Sequence, residues 1–329
     1  MLSALDLGLI YALMALGVYL TFTILDFADL TVDGSFTTGA ATTALMITSG
    51  QPALLATLAG FGAGLIAGLV TGLLNTAGKI HPLLAGILTQ ISLYSINLRI
   101  MGKANVPMLR NTTLFSGMRE NGQLASPHSI AILGVMACTV GGILIWYLST
   151  NSGLALRATG DNEAMARASG INTNRAKLVG LSLSNGLVAA AGSLFAQYQG
   201  FADISMGIGL IVAGLASVII GVAFVPQGRV WVAVVAVIFG SIAYRVILQL
   251  ALNIPGFDPN DMKLLSALIV ILALLIPRWN FMTKIKARHA SAEFSTVPFD
   301  TPDAEALDSG DTRPPVTRYA KRTRRKAVD

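Results

Sequence analysis

The sequence predicts an all-α, polytopic transmembrane helical bundle, and three observations carry that prediction. Hydrophobic residues make up 53% of the 329 and charged residues only 12%, about half the charge that covers an ordinary soluble domain. The charge is also segregated: of 40 charged residues, 18 lie between Arg278 and Asp329, leaving 22 for the first 277. Finally, apolar runs of about 20 residues, the length a helix needs to cross a bilayer core, recur along that first part. Such a chain lacks a water-compatible skin and is far too apolar to stay disordered.

Taken in order, the runs are 4–25, 36–49, 53–74, 82–101, 129–149, 177–196, 207–225, 230–252 and 264–276. They make eight or nine crossings. The run 36–49 is short enough to be re-entrant or broken, which lipid tolerates only where protein covers it. The first run has no basic leader and carries Asp6, so it reads as a retained span rather than a signal. Residues 1–277 thus form a membrane domain, and 278–329 a basic tail expected to be disordered.

Orientation follows from basic residues in short loops. The loop 150–176 holds Arg157, Arg167 and Arg175, the turn 226–229 holds Arg229, and the tail opens with Arg278, Lys284, Lys286 and Arg288. These fall on one side, which places the loop and the tail in the cytoplasm. The alternation is less tidy in the first half. Loop 102–127 carries Lys103, Arg110 and Arg119, and the side of the N-terminus stays open.

Gly60, Gly64, Gly68 and Gly72 recur every four residues in the third run. They leave one helix face without side chains, so another backbone can approach closely. The face reads as packing inside the subunit rather than as part of a pathway.

Loop 150–176 is the most informative stretch. Asp161 can cap a helix whose first turn carries Glu163, where negative charge suits the helix dipole. Glu163 and Arg167 are four apart and can pair, and Gly170 ends the helix. The result is two turns with Ala164, Met165 and Ala168 along one side. So short a helix is marginal alone in water. The residues leave two readings open, a capped loop helix or one whose apolar face docks on a partner.

Other segments bound the chemistry. The nearest approach to a phosphate loop, Gly72 to Lys79, has its glycines six apart and Ile80 after the lysine. It also lies at the end of an apolar span, so it is no nucleotide site. Asp26, Asp29 and Asp33 sit between an apolar span and a half-span, with Thr31 and Ser35 beside them. Interrupted helices of transporters hold substrate at such places; the alternative is a wet interfacial loop with a turn at Asp33. Arg245 lies two-thirds along 230–252. It can snorkel, join an internal ion pair, or face a solute carboxylate. Asn185 and Ser184 read as interhelical hydrogen-bond groups. One cysteine, Cys138, and three histidines make no metal cluster. No catalytic set appears at a recognisable spacing, so a membrane enzyme is not expected.

Several separated stretches carry a resemblance. Leu156 to Asn172 with Lys177 to Gly186, Gln197 to Gly209, Gly214 to Gly221, and Leu30 to Phe36 resemble permeases of ABC importers in the branched-chain amino acid and ribose permease superfamily. Among these they look most like the subset linked to tryptophan- or tyrosine-type solute-binding proteins. The chain departs from the pattern after Gly221, where Val222 stands in place of an acidic residue, and in its long tail.

The resemblance implies a multi-pass subunit of the plasma (inner) membrane that forms the path for a small solute. Two cytoplasmic ABC ATPase subunits, an extracytoplasmic solute-binding protein and a second permease chain, identical or paralogous, are its implied partners. It also implies that Asp161, Asn162, Glu163, Ala164, Met165, Ala166, Arg167, Ala168, Ser169 and Gly170 form the coupling helix seated on the ATPase. Asp29, Thr31, Asp33, Ser35 and Arg245 are the candidates for the solute path. No cofactor is expected in this chain, since ATP and magnesium belong to the partner. The rival reading is a stand-alone ion-coupled transporter or channel with its ion at the aspartates. The six bases among Arg318 to Lys326 read as an anchor to anionic lipid heads rather than a nucleic-acid site.

Overall fold

The computed structural model describes residues 2–223, 229–253 and 264–273. The basic tail 278–329 and the turn residues 226–228 lie outside them. The chain opens with α1 (Leu2–Val18), which runs on as a π-helical turn, Tyr19–Ile24, followed by α2 (Thr31–Thr48), α3 (Ala53–Thr76) and α4 (Pro82–Met101). Then come β1 (Asn105–Pro107), α5 (Ser116–Glu120), α6 (Pro127–Ser149), α7 (Asn151–Asp161) and α8 (Glu163–Ala168). Last are α9 (Thr173–Gln199), β2 (Phe201–Asp203), α10 (Leu210–Ala223), α11 (Val230–Leu252) and α12 (Leu264–Ala273).

Six of the described helices are long and apolar enough to span a membrane: α1 with its π turn, α3, α4, α6, α9 and α11. The eight or nine crossings read from apolar runs are therefore not reached among these residues. The other three runs appear as α2, α10 and α12. Of these α10 and α12 are, over the described residues, shorter than a span, and α2 is rich in threonine.

Helix α1 is buried at every residue from Gly8 to Val18, as a helix apolar all round must be. It packs antiparallel to α9. Asp6 accepts from Tyr198 at one end, the Gly17 carbonyl accepts from Ser184 further along (2.7 Å), and Leu25 lies against Gly180 at the other end. The chain therefore starts at the end of the bundle where β1 and β2 pair antiparallel, with Val106 opposite Ala202. Helices α7 and α8 lie at the opposite end. Helices α3, α4, α6 and α11 turn apolar side chains outward, among them Ile66, Ile91, Trp146 and Phe239.

The four-residue glycine repeat of α3 lies along α9. A Cβ at Gly60 would meet Ser193, at Gly64 Ala189 and Asn185, and at Gly68 Leu181, while at Gly72 it would stand 2.9 Å from Leu178 Cδ2. The two backbones pack as closely as missing side chains allow, and dispersion is gained along the whole seam. Gly39 and Gly192 extend the same close packing between α2 and α9.

Gly64→Leu should therefore destabilise the bundle by about 1–3 kcal/mol or more through overpacking, read as a lowered unfolding temperature in detergent. Gly62→Ala, where a Cβ meets nothing within 4 Å, should leave that temperature unchanged.

Candidate functional site

Two structural features stand out, a short exposed helix at one end of the bundle and a polar joint half-way along it. The short helix is α8. Its N-cap is Asn162, whose Oδ1 accepts from the Met165 N–H at 3.0 Å. Asp161 instead ends α7, and this corrects the cap expected from the sequence. Gly170 takes φ 82, and the Gly170 and Ile171 N–H groups return to the carbonyls of Arg167 and Ala166, closing the helix as such a glycine does. Ala166 is buried, whereas Ala164, Met165, Ala168 and Ser169 face out, with Met165 69% exposed.

Glu163 ties this helix to α9. Its carboxylate accepts from Arg167 at 2.8 Å and Lys177 at 2.7 Å, and from the Thr173 hydroxyl at 3.3 Å. Arg167 also donates through Nε to Thr173 Oγ1. Exposed pairs of this kind contribute little stability, so their effect is to fix orientation. The hydrogen bond from Lys177, with the nearby Arg167 charge, holds the Glu163 carboxyl below the usual carboxylate range.

Helix α7, where the sequence predicts a loop, carries α8. Thr150 caps it by accepting from Gly153 N–H at 3.3 Å, and Gly153, Leu156 and Thr159 are buried. A Thr cap before eleven proline-free residues is the signal that could have revealed it. Leu156 seats against Gly180 of α9.

The joint lies where α2 and α10 begin. Asn185 stands 12 residues from the start of α9 and 14 from its end. Its Nδ2 donates to Asp29 Oδ2 at 2.6 Å, and its Oδ1 accepts from Ser35 at 2.7 Å. Asp29 Oδ1 accepts from the Thr31 N–H at 2.9 Å, the first free N–H of α2, while the Thr31 and Thr71 hydroxyls meet at 2.8 Å. Asp33, in the first turn of α2, accepts from the N–H groups of Gly209 and Ile211 at 2.8 Å each. One carboxylate thus caps the neighbouring half-helix. From this point α2 runs toward the β1–β2 end, where Asn111 donates to Ile47. Helix α10 runs the other way and packs Gly221 on Ala236 of α11.

Asp29, Thr31, Asp33 and Ser35 are therefore brought together, and both oxygens of each aspartate are engaged by protein donors. Arg245 is not part of that cluster. Its guanidinium lies 3.6 Å from the centre of the Tyr11 ring, and its Nε has no hydrogen-bond partner among the described residues. Tyr11 in turn packs on Phe36 and Phe195. An aromatic face holds this cation, a partner that spacing along one helix could not reveal. Among the described residues no His, Cys, Asp or Glu group is arranged to hold a metal ion.

A bundle with six helices long and apolar enough to span a bilayer has the architecture of an integral membrane protein. Residues 1–275 match the family described as branched-chain amino acid transport system / permease component, and the chain belongs to that family. It is 42% identical to a tyrosine transport system permease protein of Clostridioides difficile (strain R20291), over 86% of this chain and 93% of the relative. It is 34% identical to an uncharacterized protein of Rickettsia prowazekii (strain Madrid E), over 83% and 96%. A ribose import permease protein of Escherichia coli (strain K12) is 25% identical over 80% and 81%. No solved structure matches the chain.

The electrostatics of α8 give a pH test. The Glu163 carboxyl titrates below its unfolded value in the folded protein. Its contribution is therefore present above the unfolded pKa of about 4.3 and is lost as pH falls through the lower folded value. Amide-exchange protection of Met165 to Ile171 should stay flat from neutral pH down to about 5 and fall only below roughly 4. In Glu163→Gln it should already be reduced at neutral pH, without the acid step.

Proposed function

We propose that this chain is the membrane subunit of an ATP-driven importer of a small solute, and that it takes its drive from a separate ATPase through α8. The observation that carries the reading is the helix itself, capped at both ends, held in orientation by Glu163 and turning Ala164, Met165 and Ala168 away from the bundle. An apolar surface on so short and so well-fixed a helix suits a partner's groove. ATP with magnesium is bound by that partner. An extracytoplasmic binding protein delivers the solute, and a second permease chain completes the path through the bilayer. In this arrangement α8 and the basic tail face the cytoplasm, and the N-terminal end of α1 faces outward.

The solute is an amino acid or a related small molecule. The relative named for tyrosine shares 42% of residues and the one named for ribose 25%, and the greater likeness favours the amino acid. Uphill transport requires two states that bind the loaded partner differently. The joint of Asp29, Asp33 and Asn185 is the element whose rearrangement opens the path to one side or the other. Arg245 and Tyr11 flank that path near its outer end. Asp29 and Asp33 are engaged by protein donors at both oxygens, an arrangement that favours a structural joint over the ion site of a self-sufficient transporter.

Met165→Asp should leave the chain folded and inserted. A charge at an apolar contact costs about 1–3 kcal/mol or more, so solute-stimulated ATP hydrolysis should fall by about fivefold or more. Wild-type stimulation in that variant would count against docking through α8.

A further inference from the structure

We infer that Gly160 is the point at which the α7–α8 unit bears on the end of the π-helical turn Tyr19–Ile24, and that it passes the partner's stroke along residues 25–29 to the half-helix joint. This rests on the coupling role proposed for α8 and names where that movement enters the bundle.

The contact is backbone on backbone. A Cβ added to Gly160 would fall on the Ile24 carbonyl oxygen and stand 3.0 Å from the Leu25 Cα. With no side chain between the two segments, no rotamer change can absorb a displacement, so the contact is stiff. The residues around it hold α7 in place. Thr159 and Leu156 are buried, and Gly180 admits Leu156 on one side and Leu25 on the other. One short helix is thus wedged against the ends of both α1 and α9.

What flanks Ile24 on either side gives the contact its significance. The turn Tyr19–Ile24 is wound wide, with Leu25 N–H reaching back to the Leu20 carbonyl at 3.1 Å and Phe27 N–H to Thr21 at 2.9 Å. Single π turns inside helices can change register and are frequent at functional sites. Asp26 then reverses the chain at φ 51, and Leu25, Phe27 and Asp29 are buried at alternate positions. Asp29 accepts from the first N–H of α2 and is the partner of Asn185. Only the four residues Leu25 to Ala28 therefore separate the contact at Ile24 from the joint at Asp29, and alternate positions along them are buried. Gly160 acts through these groups and touches no solute, so its role is positioning.

The test uses the chain assembled with its ATPase and a solute-loaded binding protein. Gly160→Ala should retain assembly and insertion but lower the solute moved per ATP hydrolysed by roughly tenfold, within the usual range of coupling free energies. Gly142→Ala, where a Cβ meets nothing within 4 Å, should leave that ratio unchanged. A purely structural role for Gly160 would lower thermal stability and yield while the ratio stayed at the wild-type value, and that result would overturn the inference.

Should Gly160→Ala fail to fold, spin labels decide in the otherwise native chain. They are placed at Asp26→Cys and Asp161→Cys after Cys138→Ser. The two labels should keep their separation within about 2 Å between nucleotide-free and ATP-trapped complexes, as parts of one moving body do. A change approaching a helical turn, about 5 Å, would show α7 sliding past Ile24 and would sink the inference. Failure of Met165→Asp to alter ATP hydrolysis would instead strike the coupling role of α8, so the two failures are distinguishable.

Discussion

Two helix starts meet half-way along this bundle, and the rest of the structure depends on how they are neutralised. The N-terminus of a helix carries partial positive charge and unsatisfied N–H groups. Placing the starts of α2 and α10 together, away from the ends of the bundle, would be costly without acceptors. Asp29 serves one start and Asp33 the other, while Asn185 links Asp29 and Ser35 to the central helix α9. Because Asp33 belongs to α2 and caps α10, neither half-helix can shift far without breaking charge-assisted hydrogen bonds. The joint is thus rigid when made and costly when half-made, the property a two-state element needs.

Helix α9 connects this joint to the exposed end. Near its start Lys177 and Thr173 hold α8 through Glu163 and Arg167, and at its middle Asn185 holds the joint. Along its length it takes the glycine face of α3 and the buried face of α1. Close backbone packing makes such a core low in compressibility, so a force applied at α8 is not dissipated in soft side-chain contacts. The helices that turn apolar surface outward, α3, α4, α6 and α11, surround this inner group.

The long spans were legible because a bilayer imposes a length and a polarity on them: α4 and α11 have the bounds of their apolar runs, and α3 differs only at its end. The glycine spacing in α3 and the closing Gly170 of α8 were equally readable, since each follows from a local rule. Among the described residues six spans are formed rather than eight or nine, because an apolar run has the same composition whether or not its helix is long enough to cross. The cap of α8 fell one residue later than read, at Asn162, because Asp161 and Asn162 are both good caps and only the path of α7 chooses between them. Helix α7 is too polar to register as a span, and its buried face is narrow. The Tyr11–Arg245 stack joins residues 234 positions apart, and the π turn has no distinctive residue pattern. These depend on tertiary packing alone.

The most direct test is a cryo-EM map of the chain assembled with the ATPase proposed as its partner. The account predicts density of the ATPase closed over Ala164, Met165 and Ala168, with α8 still joined to α9 through Glu163 and Lys177. A map in which that face stands open to solvent, with the ATPase bound elsewhere on the bundle, would contradict it.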